Sequence, residues 1–290
     1  MSSSVPNYYG DFKCIASDCK NNCCIGWEID IDALTFDFYK GIKGEFGDKI
    51  RKNIAHEPSP HFLLGENDRC PFLEKNGLCE IINNLSQTAL CQICSDHPRF
   101  RNFLPSGEEI GLGLCCEAAA ELILGQKEKF EIKTEVSDSF INFRQKIFDI
   151  LQNDNKEFPE RLEEMLSLCG GKAPRDDINY WQDVYKNLER LDSRWDTYLE
   201  KLKKPYFYKK FQKIYENLAC YFVFRHFSLY NEGYGFDIIS SFVVLSVFVI
   251  AGLIQENSSF EDIVAVVRMY SSEIEYSEEN MEDLLTIIES

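Results

Sequence analysis

Ten cysteines crowd the first 116 residues of a 290-residue chain: Cys14, Cys19, Cys23, Cys24, Cys70, Cys79, Cys91, Cys94, Cys115 and Cys116. Thiolate is the soft ligand that selects zinc or iron–sulfur, and both use four-thiolate sites. Cys91 and Cys94 form a C-x2-C pair, which puts two thiolates on one short turn. A zinc ribbon would repeat that pair at a regular interval. Here it stands once, among irregularly spaced cysteines that exceed four, so the pattern suits an iron–sulfur cluster better and leaves zinc as the alternative. His97, three residues after Cys94, is a weaker ligand candidate. A directly adjacent cysteine rarely reaches the same metal, which sets Cys116 aside. Adjacent Cys23 and Cys24 point in different directions and could serve two sites, or one site and one wall. Cys169 and Cys220, isolated further along, read as small core residues. The candidate metal ligands are therefore Cys14, Cys19, Cys23, Cys24, Cys70, Cys79, Cys91, Cys94 and Cys115.

Composition bounds the setting. The start, MSSSVPNYYGDFKC, lacks a basic region followed by an apolar one, so the expected location is cytoplasmic. Thiols stay reduced there, which favours metal ligands over disulfides. A net charge of −17 argues against a nucleic-acid partner and permits steering of a lysine-bearing protein. The uncharged stretch Ile238–Ile254 falls short of the ~20 residues a bilayer needs, and no Lys or Arg flanks it closely. A buried helix, and no membrane partner, is the expectation.

These residues need elements to position them. Asp32 is a good N-cap for a helix through Phe36 and Tyr39. A second helix should follow Cys115 through EAAAELIL and stop near Gly125. Beyond it, Phe207, Phe211, Ile214, Leu218 and Tyr221 recur at helical spacing behind Pro205. Ser258 with Glu261 reads as a capping box, and Ser277 before two glutamates as a last helix start. The expected fold is mainly α: an irregular cysteine-rich metal-binding N-terminal lobe, residues 1–125, packed on a C-terminal α-helical bundle, residues 126–290.

The stretches FKCIASDCKNNCCIGWEIDID (12–32), RCPFLEKNGLC (69–79), LCQICSDHPR (90–99) and LCCEA (114–118) resemble the flagellin lysine-N-methylase family. Tyr221-FVFRH and Tyr270-SSEIEYSEEN are similar to its helical signatures. His97, Tyr276 and Cys116 stand where the family usually shows Tyr, His and Pro. The resemblance implies a [4Fe–4S] protein that uses S-adenosylmethionine to methylate the ε-amine of flagellin lysines.

No strand and Gly-rich turn of the ordinary methyltransferase kind is present; Gly111-Leu-Gly113 comes nearest. The C-x3-C-x2-C triplet of the radical enzymes is missing too. A lysine amine with pKa near ~10.4 must lose its proton before it attacks, and a carboxylate could accept it. Glu273 and Glu275, with Tyr270 nearby, are the catalytic candidates. Arg225 could hold a cofactor carboxylate or form a core salt bridge to one of these glutamates, Arg99 could neutralise the cluster's charge or grip the cofactor, and Trp27 could stack on the cofactor or serve as a core wedge. The alternative function is a non-catalytic, zinc-binding interaction module.

Overall fold

A computed structural model describes residues 3–290. In chain order its elements are β1 (Val5–Pro6), α1 (Ala33–Gly41), α2 (Gly44–Lys52), β2 (Ile54–Ala55), β3 (His61–Phe62), α3 (Glu80–Asn84), α4 (Gln92–Asp96), β4 (Arg99–Leu104), β5 (Gly107–Leu112), α5 (Glu117–Leu124) and β6 (Ile132–Lys133). Eight helices follow: α6 (Ser139–Leu151), α7 (Phe158–Cys169), α8 (Ile178–Asn187), α9 (Arg194–Leu199), α10 (Gln212–His226), α11 (Phe236–Leu253), α12 (Phe260–Tyr270) and α13 (Glu278–Glu289). The protein is mainly α, as the helical periodicity predicts.

Two compact units form among the described residues, Lys13–Arg99 and a larger one of residues 3–12 with 100–290. The division expected at residue 125 thus differs. The hairpin strands β4 and β5 and helix α5 belong almost wholly to the helical unit, because Leu112, Leu114, Ala119, Ala120, Ile123 and Leu124 are buried in its core.

The smaller unit is built on few apolar residues. Ile29, Ile31, Tyr39, Ile50, Ile54, Phe62 and Phe72 make its core, and Cys70 and Cys91 lie in it. The rings of Phe62 and Phe72 meet edge to face at 4.9 Å. Asp32 caps α1 as expected, accepting a hydrogen bond from the Thr35 amide. Strands β2 and β3 pair antiparallel, Ile54 opposite Phe62.

In the larger unit α10 and α11 pack together at the centre. Ile238–Ile254 is a helix within one or two residues of expectation, and 78% of it is buried within the protein. By length and composition it could cross a membrane, but its apolar surface is already covered. Its serines donate back to carbonyls on their own helix: Ser241 to Asp237 at 2.7 Å and Ser246 to Phe242 at 2.8 Å. Other boundaries shift slightly. Pro205 lies outside the helix, which starts at Gln212 after a 3-10 turn. The capping box is Ser259 with Asp262, one residue on from the expected pair. Ser277 caps α13 by accepting from the Asn280 amide.

Buried ion pairs lock this unit. Glu109 of β5 takes a two-pronged bond from Arg144 of α6. Arg161 of α7 donates to Glu216 of α10 at 2.7 Å, both side chains being nearly inaccessible. Removing one partner strands a buried charge. Arg161→Met should therefore cost about 3–5 kcal/mol in urea unfolding, whereas Arg161→Met with Glu216→Leu should recover much of that loss.

Candidate functional site

Two clusters of chemically capable side chains stand out, one in each unit.

In the smaller unit the thiols of Cys24, Cys70, Cys79, Cys91 and Cys94 lie within electrostatic reach of one another. The backbone brings them there. The Cys70 amide donates to the Cys24 carbonyl at 2.8 Å, and Gly26 to Asp68 at 3.0 Å, so two distant segments run side by side. Arg69 donates to the carbonyls of Leu73 and Glu74 and fixes the Cys-Pro-Phe-Leu turn. The chain then reverses at Gly77, whose φ of +82° and close approach to the Ser17 backbone exclude a side chain. That reversal pairs Leu73 with Cys79. Asp32 completes the frame, with one oxygen on the Thr35 amide and the other on the Gln92 amide at 2.9 Å, next to Cys91. Burial works against its charge, but these hydrogen bonds win and hold its pKa below the usual carboxylate range.

Electrostatics within the thiol group are uneven. Cys91 and Cys94 share a hydrogen bond that lowers the pKa of Cys91 and raises that of Cys94. Cys23 and Cys24 behave alike: hydrogen bonding to Cys24 lowers Cys23 to about 7. Burial pushes Cys70 up to about 11, against amide hydrogen bonds from Phe72 and Leu73. Cys23, Cys24, Cys70, Cys79, Cys91 and Cys94 are thus the residues that could hold a soft metal centre. Among the described residues no three His, Cys, Asp or Glu side chains close on a single ion. A tetrahedral zinc with ~2.3 Å bonds needs sulfurs within about 4 Å of each other. Two thiol pairs are joined by hydrogen bonds, Cys23 with Cys24 and Cys91 with Cys94. Cys14 is exposed and Cys19 partly so. Trp27 is half-buried with its ring 6.4 Å from that of His97, and Arg99 donates to the Ser95 carbonyl. Burial lowers the His97 pKa to about 4, so the ring is neutral.

In the larger unit the segment Ser271–Glu275 continues α12 as a π-turn. Such turns are rare and frequent at functional sites. Residues two apart on a helix point in opposing directions, and the two glutamates do so. Glu273 accepts from the backbone amides of Leu191 (3.2 Å) and Asp192 and lies 3.5 Å from Arg190, tying down residues 189–192. Glu275 is buried and meets Arg225 at 3.1 Å, His226 at 2.8 Å and the Tyr221 hydroxyl at 3.1 Å. Burial opposes its charge, and Arg225 and His226 outweigh burial, so its pKa is lowered. Arg225 also donates to the Tyr221 hydroxyl at 2.9 Å and to the Glu275 carbonyl at 3.1 Å. Its guanidinium stacks on Phe100 and Tyr276, 4.7 and 4.8 Å from the ring centres. Tyr276 is hydrogen-bonded to Arg225 and to the Cys115 thiol, which burial pushes up to about 12.

The candidate residues therefore divide. Arg225 and Glu275 come together. Glu273 faces another segment, and Tyr270 is wholly buried, its hydroxyl 2.9 Å from Ser246 and 3.2 Å from Tyr185. Cys115, expected among the metal ligands, has its thiol on Tyr276. The sequence reading missed Tyr221 and His226 as partners of Glu275. Their spacing from Arg225 within Tyr221-FVFRH was the available signal. It also treated Gly111-Leu-Gly113 only as a failed cofactor loop. A Cβ on Gly111 would lie 2.2 Å from the Phe100 ring, and one on Gly113 2.1 Å from the Tyr276 hydroxyl, so both glycines make room for the arginine's aromatic sandwich.

The model of the "FliB lysine N-methylase C-terminal domain" matches residues 110–290, which contain Glu275 and its partners Tyr221, Arg225 and His226. The chain belongs to the FliB lysine N-methylase family. Among relatives, a "Lysine-N-methylase" of Salmonella choleraesuis (strain SC-B67) is 27% identical over 147 residues, covering 47% of this chain and 36% of the relative. One of Salmonella typhimurium (strain LT2) matches with the same figures. The "Flagellar biosynthetic protein FliU" of Salmonella muenchen is 26% identical over 147 residues, 46% of this chain and 83% of the relative. The match spans about a third of the length of the two lysine-N-methylases. No solved structure matches the chain.

Two outcomes follow for this family member. Gly113→Ala forces Tyr276 aside and should cost about 1–3 kcal/mol in thermal or urea unfolding. His226 carries a pKa lowered chiefly by burial from 6.5. A base with a lowered folded pKa binds protons more readily when unfolded, so its penalty is nil well above 6.5 and grows as pH falls below it. Urea unfolding between pH 7.5 and about 5 should lose stability with falling pH, and His226→Gln should flatten that slope. An unchanged slope would remove His226 from the account.

Proposed function

We propose that this protein is a cytoplasmic, S-adenosylmethionine-dependent lysine N-methyltransferase acting on flagellin, with a [4Fe–4S] cluster in its cysteine-rich unit. The observation that carries the cluster is the gathering of Cys24, Cys70, Cys79, Cys91 and Cys94. Five thiols in mutual reach repel one another once ionised, and a soft multi-metal centre relieves that repulsion. Support for methyl transfer to lysine comes from the family and from the relatives' printed names. The flagellar name of a third relative supports the substrate. The cluster, when bound, would supply a Lewis-acidic or electron-donating centre for the cofactor.

The chain's own residues position rather than exchange protons at the two glutamates. Glu273 is committed to backbone amides, and Glu275 to Arg225. Through Arg225, Glu275 fixes the half-buried Tyr276, which in turn holds the buried Cys115 thiol. Glu275→Gln should then weaken methylation while iron content stays unchanged.

The test is direct. Anaerobically prepared protein is analysed for iron, sulfide and zinc. It is then incubated with flagellin and S-adenosylmethionine, and lysine peptides are examined by mass spectrometry for methyl increments. Cys24→Ser, Cys70→Ser and Cys91→Ser should each lose iron, and Cys169→Ser and Cys220→Ser should keep it. Stoichiometric zinc without iron, and no methyl increments, would favour the non-catalytic zinc-binding interaction module instead.

A further inference from the structure

Arg268 is the anomaly of the helical unit. The other buried or half-buried arginines there each face a carboxylate: Arg144 has Glu109, Arg161 has Glu216, Arg190 has Glu273 and Arg225 has Glu275. Arg268 lies on α12, where Val264, Val266, Val267 and Met269 are core residues, and it is only partly exposed. Its Nε is buried without a hydrogen-bond partner. Within its electrostatic reach are Arg194 and Tyr198 of α9, Cys115 and Asp192. Asp192 offsets its charge only in part: no hydrogen bond joins the two, and both Asp192 oxygens accept from Arg194 at 2.9–3.0 Å. Arg194 instead adds like charge beside it.

A further unpartnered donor accompanies this cation. Ser272 stands four residues on, on the same face one turn later, and its hydroxyl is also buried without a partner. A protein seldom leaves buried donors unpaired, and a partly desolvated guanidinium without a counter-charge is costly. An arginine's planar fork matches a carboxylate. Cys115 links the place to the network already described, since the same thiol is hydrogen-bonded to Tyr276 beside Arg225.

We propose that Arg268, with Ser272, grips the α-carboxylate of an amino-acid head group, that of the S-adenosylmethionine-type ligand. This role was assigned from the sequence to Arg225 or Arg99; Arg225 is already neutralised by Glu275, whereas Arg268 is not. The assignment rests on the methyltransferase reading above and adds the residue that recognises the cofactor's charge. The helix positions the cation, and the carboxylate supplies its missing partner.

Isothermal calorimetry on the full chain tests this with S-adenosylhomocysteine and its analogue lacking the carboxylate. The expected result is that Arg268→Gln weakens S-adenosylhomocysteine binding about tenfold or more, with Arg268→Lys between. The analogue should bind wild type and Arg268→Gln equally. Thermal unfolding without ligand gives a second, independent readout. Because the unpaired charge is unfavourable in the empty protein, Arg268→Met should raise the midpoint by a few degrees. A lowered midpoint would show that Arg268 is structural and would overturn the proposal. Equal binding of S-adenosylhomocysteine by wild type and Arg268→Gln would overturn it too, while leaving the methyltransferase reading intact. Failure of the wild type to bind S-adenosylhomocysteine or S-adenosylmethionine would overturn both.

Discussion

A carboxylate shut away from water must be neutralised where it stands, and the helical unit is arranged around that requirement at Glu275. Arg225 and His226 are consecutive residues of α10, yet both reach the same oxygen, and Tyr221 one turn earlier adds its hydroxyl. The π-turn that ends α12 places this carboxylate opposite α10. The consequences spread outward. Arg225, held from below, becomes a flat cation between Phe100 and Tyr276. The β5 end must then pass close by, which only glycine at positions 111 and 113 allows. Breaking one partner would leave an uncompensated charge in a medium that punishes it by several kcal/mol.

The cysteine-rich unit solves a different problem with fewer means. Eighty-seven residues, Lys13–Arg99, bury a small aliphatic and aromatic core that includes two of their own thiols. Small units of this kind usually need a metal or covalent staple. The fold supplies a preformed frame for one: Asp32 spans two helix starts, Arg69 holds one turn, and Tyr39 donates to the Ala89 carbonyl at 2.7 Å just before Cys91. Each tie is a hydrogen bond to backbone, so thiol positions are set by the chain's path.

The periodic elements were legible in the sequence because each carried its own punctuation. Asp32, Gly125 and Ser277 mark helix ends by local chemistry, and the structure places them there. Ile238–Ile254 was legible as a helix because no residue in it interrupts the pattern. The division between units was not, since composition changes at residue 125 while the chain's contacts change near residue 99. Helix α5 is rich in alanine and follows two cysteines, but its buried face is matched to α10 and α12, which no local signal reveals. Among the site residues, the stretch around Glu275 was found from a family-like motif, but its geometry hung on the π-turn. A single extra residue in a helical turn rotates every later side chain, and nothing in Ser-Ser-Glu-Ile-Glu announces it.

That turn also decides what the two glutamates can do. Placed two residues apart, they looked like a pair suited to one ammonium group. On a helix they diverge, and the surroundings then assign them separately. Glu273 meets backbone amides and, at 3.5 Å, the Arg190 guanidinium, but burial outweighs them and leaves its pKa raised. Glu275 meets a guanidinium and an imidazole, and its pKa falls despite its burial. Two carboxylates in one short motif thus end with opposite shifts, set by the partner each finds. The pattern of paired acids marks the right turn of chain, but the work available to each acid is fixed by which element lies opposite. For Glu275 that element presents a cation, so the carboxylate is spent on orientation. The guanidinium without a salt-bridged carboxylate lies instead about two turns earlier, at Arg268.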